Sequence, residues 1–128
     1  MSAASAVHLT QIGQIAINVE NSERATKFYR DVLGMKYLFS AGTLSFFDCG
    51  GVRLMLTIPE RAEFRQHSSI LYFKVDDLNA VYQSLLALNV SFEDKPHLIA
   101  RMPDHELWMA FFRDSENNLL GLMKEIRK

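Results

Sequence analysis

Gly13-Gln-Ile-Ala-Ile-Asn-Val-Glu-Asn-Ser-Glu-Arg-Ala-Thr-Lys-Phe-Tyr-Arg-Asp-Val-Leu-Gly34 is the stretch that decides how this chain folds. Between residues 14 and 19 the set Ile15, Ile17, Val19 alternates with the set Gln14, Ala16, Asn18. A period of two describes a strand with one apolar face and one face left free for polar or small side chains. From residue 22 the period changes. Ala25, Phe28, Tyr29, Val32 and Leu33 recur at helical spacing, and Gly34 suits the left-handed residue that ends a helix. Asn21 or Ser22 offers the N-cap, and Glu23 places a carboxylate in the first turn, where the helix dipole favours it. The stretch therefore reads as a strand followed directly by an amphipathic helix.

Downstream elements follow from the same signals. Lys36–Ser40 reads as a short strand, and Thr43–Asp48 with Val52–Ile58 as a hairpin around Cys49-Gly50-Gly51. Pro59–Ser69 reads as an irregular connection, Ile70–Val75 as a strand, and Asp76 or Asp77 as the cap of a helix carrying Leu78, Val81, Tyr82, Leu85 and Leu88. Asn89 ends that helix and Ser91–Glu93 forms a short strand. Lys95–His105 is expected to be a long polar loop, and Leu107–Arg113 pairs with Leu119–Lys124 across Asp114–Asn118. Met1–Ser5 reads as a tail.

In this order the chain repeats itself. Moving 56 residues along lays Ile15-Ala16-Ile17-Asn18-Val19 over Leu71-Tyr72-Phe73-Lys74-Val75, and a shift of 65 lays Phe46-Phe47 over Phe111-Phe112. A repeat of this length is an architectural signal. The expectation is an α+β fold in one domain, built from two tandem βαβββ modules spanning about 12–58 and 69–125. Each module lays its helix on one face of a mixed sheet, and the other faces together form a cup.

Composition limits the partners. Fourteen basic and 15 acidic side chains give a net charge of −1 in 128 residues, with no basic stripe; neither nucleic acid nor an anionic membrane is an expected partner. A single cysteine, Cys49, excludes an intrachain disulfide. No basic segment followed by a long apolar run stands at the N-terminus, so a cytoplasmic location is expected.

Gln14-Ile-Ala-Ile-Asn-Val with Phe28-Tyr29 and Val32-Leu33-Gly34 resembles the signature of the vicinal oxygen chelate superfamily, the glyoxalase, bleomycin resistance protein and dioxygenase type. Leu71–Leu78 and Ala110–Asn118 resemble the second-module strand and last hairpin of that family. The resemblance implies a divalent metal held by His, Glu or Gln side chains, one from each of four strands, and a homodimer whose cups form within a chain or across a swapped interface. Carried over, the four ligand positions fall on Gln14, Met55, Ile70 and Gly121. Met is a soft ligand, and Ile and Gly offer no side-chain donor, so only Gln14 could remain and no metal cofactor is expected.

The cup can still bind a small molecule. Alternation assigns to its lining Gln14, Asn18, Arg53, Met55, Thr57, Tyr72, Lys74, Met109, Phe111, Arg113, Leu119 and Met123. Met109 and Met123 serve equally well as core. Phe47, Phe112, Leu120, Leu122 and Trp108 fall on the opposite face, under the helices. His97 and His105, on the expected loop, are either ligand partners or a lid's own turn residues, whereas His8 and His67 read as solvated. Two functions follow: a metal-free binding module for a flat, partly aromatic or oxygen-bearing ligand, or a glyoxalase-like lyase or isomerase using Gln14 and the loop histidines with an unusual divalent-metal site. Whether the chain is catalytic, and through which residues, is left open by its sequence.

Overall fold

The computed structural model describes residues 7–59 and 69–128. The expected tail and most of the expected connection, with His67, lie outside them. Element order is β1 (Gln14–Asn18), α1 (Ser22–Lys27), β2 (Lys36–Ala41), β3 (Leu44–Cys49), β4 (Val52–Thr57), β5 (Leu71–Lys74), α2 (Leu78–Ala87), β6 (His97–Arg101), β7 (His105–Arg113) and β8 (Leu119–Arg127). The strands form two mixed sheets in the orders β1-β4-β3-β2 and β5-β8-β7-β6. In each, the first and last strands of the module pair in parallel and the remaining neighbours are antiparallel. These are the two βαβββ modules of the repeat.

Local chemistry explains the boundaries. The Asn21 side chain accepts the Arg24 N–H at 2.9 Å, and Asp77, not Asp76, accepts the Ala80 N–H at 3.0 Å. Helix α1 does not run on as a plain α-helix. Residues Phe28–Val32 widen into a π-helical turn, with the Leu33 N–H donating to the Phe28 carbonyl, before Gly34 turns the chain at φ +67°. Asn89 adopts φ +64° after α2, and Gly50 and Gly51 take positive φ in the β3–β4 turn.

One expectation is corrected here. Residues Lys95–His105 are not a long loop: His97–Arg101 form strand β6, which pairs with β7 through a bulge between Leu98 and Ala100. The short strand expected at Ser91–Glu93 is a single bridge between Phe92 and Phe112. The polar residues of 95–105 hid an edge strand, where one side of the ladder faces solvent and apolar alternation is not required.

The core lies between helices and sheets. Ile17, Leu54, Leu56 and Phe47 of module one, and Leu120, Leu122, Ala110 and Phe112 of module two, are buried with Tyr29, Leu78 and Leu85 from the helices. Phe47, Phe112, Leu120, Leu122 and the half-buried Trp108 thus lie on the helix side, as alternation requires. None of the helices among the described residues is long and apolar enough to cross a membrane.

Candidate functional site

The faces turned away from the helices form the candidate site, and strand register fixes what each presents. Directly paired residues share a face. In module one a row runs Ala16–Met55–Phe46–Phe39 across β1, β4, β3 and β2, beside a row Gln14–Arg53–Asp48–Lys36. Within these rows the Gln14 side-chain N–H donates to the Met55 sulfur at 3.7 Å. Phe39 and Phe46 stack at 4.6 Å between ring centroids, and the Arg53 guanidinium stands over the Phe46 ring at 5.9 Å. Asn18 and Thr57 pair farther along β1 and β4.

Module two presents the equivalent rows with other contents. Tyr72–Gly121–Phe111 takes the place of Ala16–Met55–Phe46, and Lys74–Met123–Met109–His97 forms the next row. The Tyr72 ring lies across Gly121 and meets Phe111 edge-on at 5.8 Å. A Cβ at residue 121 would stand 2.9 Å from Tyr72 Cδ2, too close for any side chain without moving the ring. The size of one side chain has moved from β4 in module one to β5 in module two.

Sequence reasoning missed Phe39 and Phe46. A signal for Phe46 existed, because the shift that lays Phe46 over Phe111 gives both the same face. Phe39 was hidden by the bulge between Tyr37 and Phe39, which breaks the parity along β2.

The histidines stand on strands instead of a lid. His97 faces Met109 across β6 and β7, with Nδ1 2.9 Å from the Lys95 carbonyl. His105 opens β7. Its Nδ1 lies 2.7 Å from Asp104, its Nε2 3.8 Å from Glu125, and Arg127 bridges the same two carboxylates. His105 is thus tied into a surface ion network at the strand end. Arg113 is likewise engaged, by Glu93 and the Asn117 carbonyl. Together with Leu119 it borders a cavity of about 290 Å³ between the modules, which Ile17, Ile70, Asn118 and Leu120 also line. Arg53 and Lys74 of the open faces make no ion pair among the described residues.

The modules are joined elsewhere, by the β7–β8 turn. Glu116 accepts the Glu20 and Asn21 N–H groups at 2.9 and 2.7 Å and pairs with Arg24 at 2.7 Å, leaving its side chain 1% exposed. Burial alone would raise its carboxyl, but the Arg24 guanidinium, the two backbone N–H groups and the Ser115 hydroxyl outweigh burial and hold it down at about 2. The buried Tyr29 hydroxyl donates to Asp114 at 2.7 Å. Burial first, and then the Asp114 charge, push that hydroxyl far above the ordinary phenol range. Asn118 donates to the Asn18 carbonyl at 2.9 Å.

The donor chemistry does not fit a divalent metal. Strand register places Gly121 in module two where Met55 stands in module one, and Ile70 precedes β5 as Gln14 opens β1. One amide, one thioether, one alkyl group and a glycine covered by a tyrosine ring are not the hard-donor set such an ion needs.

Comparison with known proteins gives consistent results. Residues 11–122 match the family described as the Glyoxalase/Bleomycin resistance protein/Dioxygenase superfamily. The chain is 30% identical over 128 residues to the Bacillus subtilis (strain 168) protein YraH, covering 87% of this chain and 95% of that one. Its fold is similar to that of a lactoylglutathione lyase from Agrobacterium tumefaciens (TM-score 0.71, 24% identity, 90% of this chain and 93% of that one). It is also similar to a virulence protein from Salmonella typhimurium (TM-score 0.76, 18% identity, 94% and 100%).

Proposed function

Because the chain belongs to the glyoxalase/bleomycin resistance protein/dioxygenase superfamily, we propose that it is a binding member of that family whose open sheet faces take a small, partly aromatic or oxygen-bearing molecule without a divalent metal. The observation that carries this reading is the pair of equivalent positions Met55 and Gly121. In module one a thioether occupies the place of a hard donor, and in module two the Tyr72 ring fills it. What remains on both faces is the surface expected of an organic-ligand site, flat aromatic and thioether groups with a few polar ones.

Two measurements test it. Purified protein analysed for metal content, with and without added Zn²⁺, Ni²⁺ or Mn²⁺, is expected to retain no stoichiometric ion. One equivalent per chain that survives dialysis and is lost in Gln14→Ala overturns the metal-free reading. Methyl-labelled Met55, Met109 and Met123 are expected to shift in NMR spectra when a ligand enters, while Met35 and Met102 stay still. A homodimer is part of the proposal, supported by exposed apolar groups outside the ligand rows, such as Leu38, Leu88 and Ile99; light scattering checks it.

A lyase or isomerase is the second reading. It draws support from one row, Lys74–Met123–Met109–His97, which sets an ammonium and an imidazole on the same open face. Under that reading His97→Ala abolishes turnover while leaving ligand affinity in place.

A further inference from the structure

We propose that Arg53 is the residue that selects the ligand, and that the ligand is a planar aromatic carboxylate held on module one by the Phe39–Phe46 shelf. This rests on the binding function proposed above and adds its chemical class and its place.

Charge and shape both point to module one. Arg53 is exposed, makes no ion pair among the described residues, and is positioned over the face of Phe46. A guanidinium on an aromatic ring is weakly hydrated and keeps its forked N–H edge free, which matches a carboxylate with two parallel hydrogen bonds. Phe46 is 8% exposed, whereas its stacking partner Phe39 is 48% exposed and offers the apolar surface. Asp48, half-buried and directly opposite Arg53 across β3 and β4, makes no hydrogen bond or ion pair with it among the described residues. The Gln14 amide gives one N–H to Met55 and keeps a second N–H donor in the same row as Arg53. Module two lacks this combination: its open-face cation Lys74 is an ammonium without a forked edge, its aromatic row is closed by Tyr72 over Gly121, and Arg113 is held by Glu93.

The test uses the full chain and three probes: 2-naphthoate, the uncharged 2-naphthalenemethanol, and acetate. Titration calorimetry is expected to show 2-naphthoate binding at least tenfold more tightly than either of the others. Arg53→Gln is expected to weaken 2-naphthoate about tenfold or more and to leave 2-naphthalenemethanol unchanged. Phe39→Ala weakens both aromatic probes. Both side chains lie outside the core, and unchanged thermal midpoints check that the variants remain folded. Equal affinity for the acid and the alcohol, or 2-naphthoate affinity unaffected by Arg53→Gln, overturns the proposal while leaving metal-free binding intact. So does 2-naphthoate that moves Met109 and Met123 but not Met55. Loss of the dimer in Phe39→Ala with full 2-naphthoate affinity assigns the shelf to a contact between copies and also overturns it. Failure of the wild-type protein to bind 2-naphthoate overturns it outright, and the metal measurement then decides the broader reading separately.

Discussion

The two modules are alike on one face and unlike on the other. Toward the helices, Phe47 and Phe112, Leu54 and Leu120, and Leu56 and Leu122 are equivalent pairs of the same type, all buried. On the open faces the equivalent rows read Ala16–Met55–Phe46 and Tyr72–Gly121–Phe111. The junction is unequal too. The turn Asp114–Asn118 of module two grips α1 and β1, while the matching turn of module one is Cys49-Gly50-Gly51, with little side chain to grip anything. Packing holds the inner faces to one solution, because a dense core answers to every methylene. The outer faces have no such constraint and have diverged.

If the inner faces are equivalent, Phe47→Ala and Phe112→Ala should each cost about 3–5 kcal/mol in urea unfolding, the range for emptying a large buried aromatic site. A cost concentrated in one of them would break the equivalence. The outer faces should fail differently. Gly121→Ala drives a methyl into Tyr72 and is expected to cost about 1–3 kcal/mol, with Tyr72→Ala in the same chain recovering part of it. Additive costs would mean that ring and glycine are not complementary.

The junction gives smaller effects. Tyr29→Phe removes the donor to a buried carboxylate and should cost about 1–3 kcal/mol, whereas Leu85, its counterpart on α2, has no hydroxyl to lose. Glu116 gives a pH signature. Its carboxyl is held at about 2 in the folded chain, below its ordinary value of 4.5, so its contribution is complete above that value and disappears as pH falls toward 2. Unfolding midpoints of the wild type should therefore decline from pH 5 to pH 3 more steeply than those of Glu116→Gln.

Much of this fold is legible in the sequence because its signals are local and repeated. Ile15-Ala16-Ile17-Asn18-Val19 and its counterpart announce a half-buried strand before a capped helix, and Gly34 and Asn89 mark where the helices stop. Strand β6 was not legible, since an edge strand of mixed polarity looks like a loop. The open faces were legible from parity once the resemblance had fixed its phase. That placed Gln14, Met55, Tyr72 and Gly121 on the open faces but lost Phe39 at the bulge. It also counted Arg113 among the cup residues, although Glu93 and the inter-module turn engage it. Parity says which way a side chain leaves the strand, not which neighbour claims it.

The grip of the β7–β8 turn has a consequence for the order in which the molecule assembles. Each sheet closes from its own segment, module one joining Gln14 to Arg53 and module two joining Leu71 to Leu120. The bonds that unite them span 85 residues from Tyr29 to Asp114 and 100 from Asn18 to Asn118. Contacts at such separations carry the largest loop-closure entropy and form late. A chain made from its N-terminus can complete the first sheet while the residues that will seal it are still unsynthesised. Until then the Tyr29 hydroxyl has no Asp114 carboxylate to donate to.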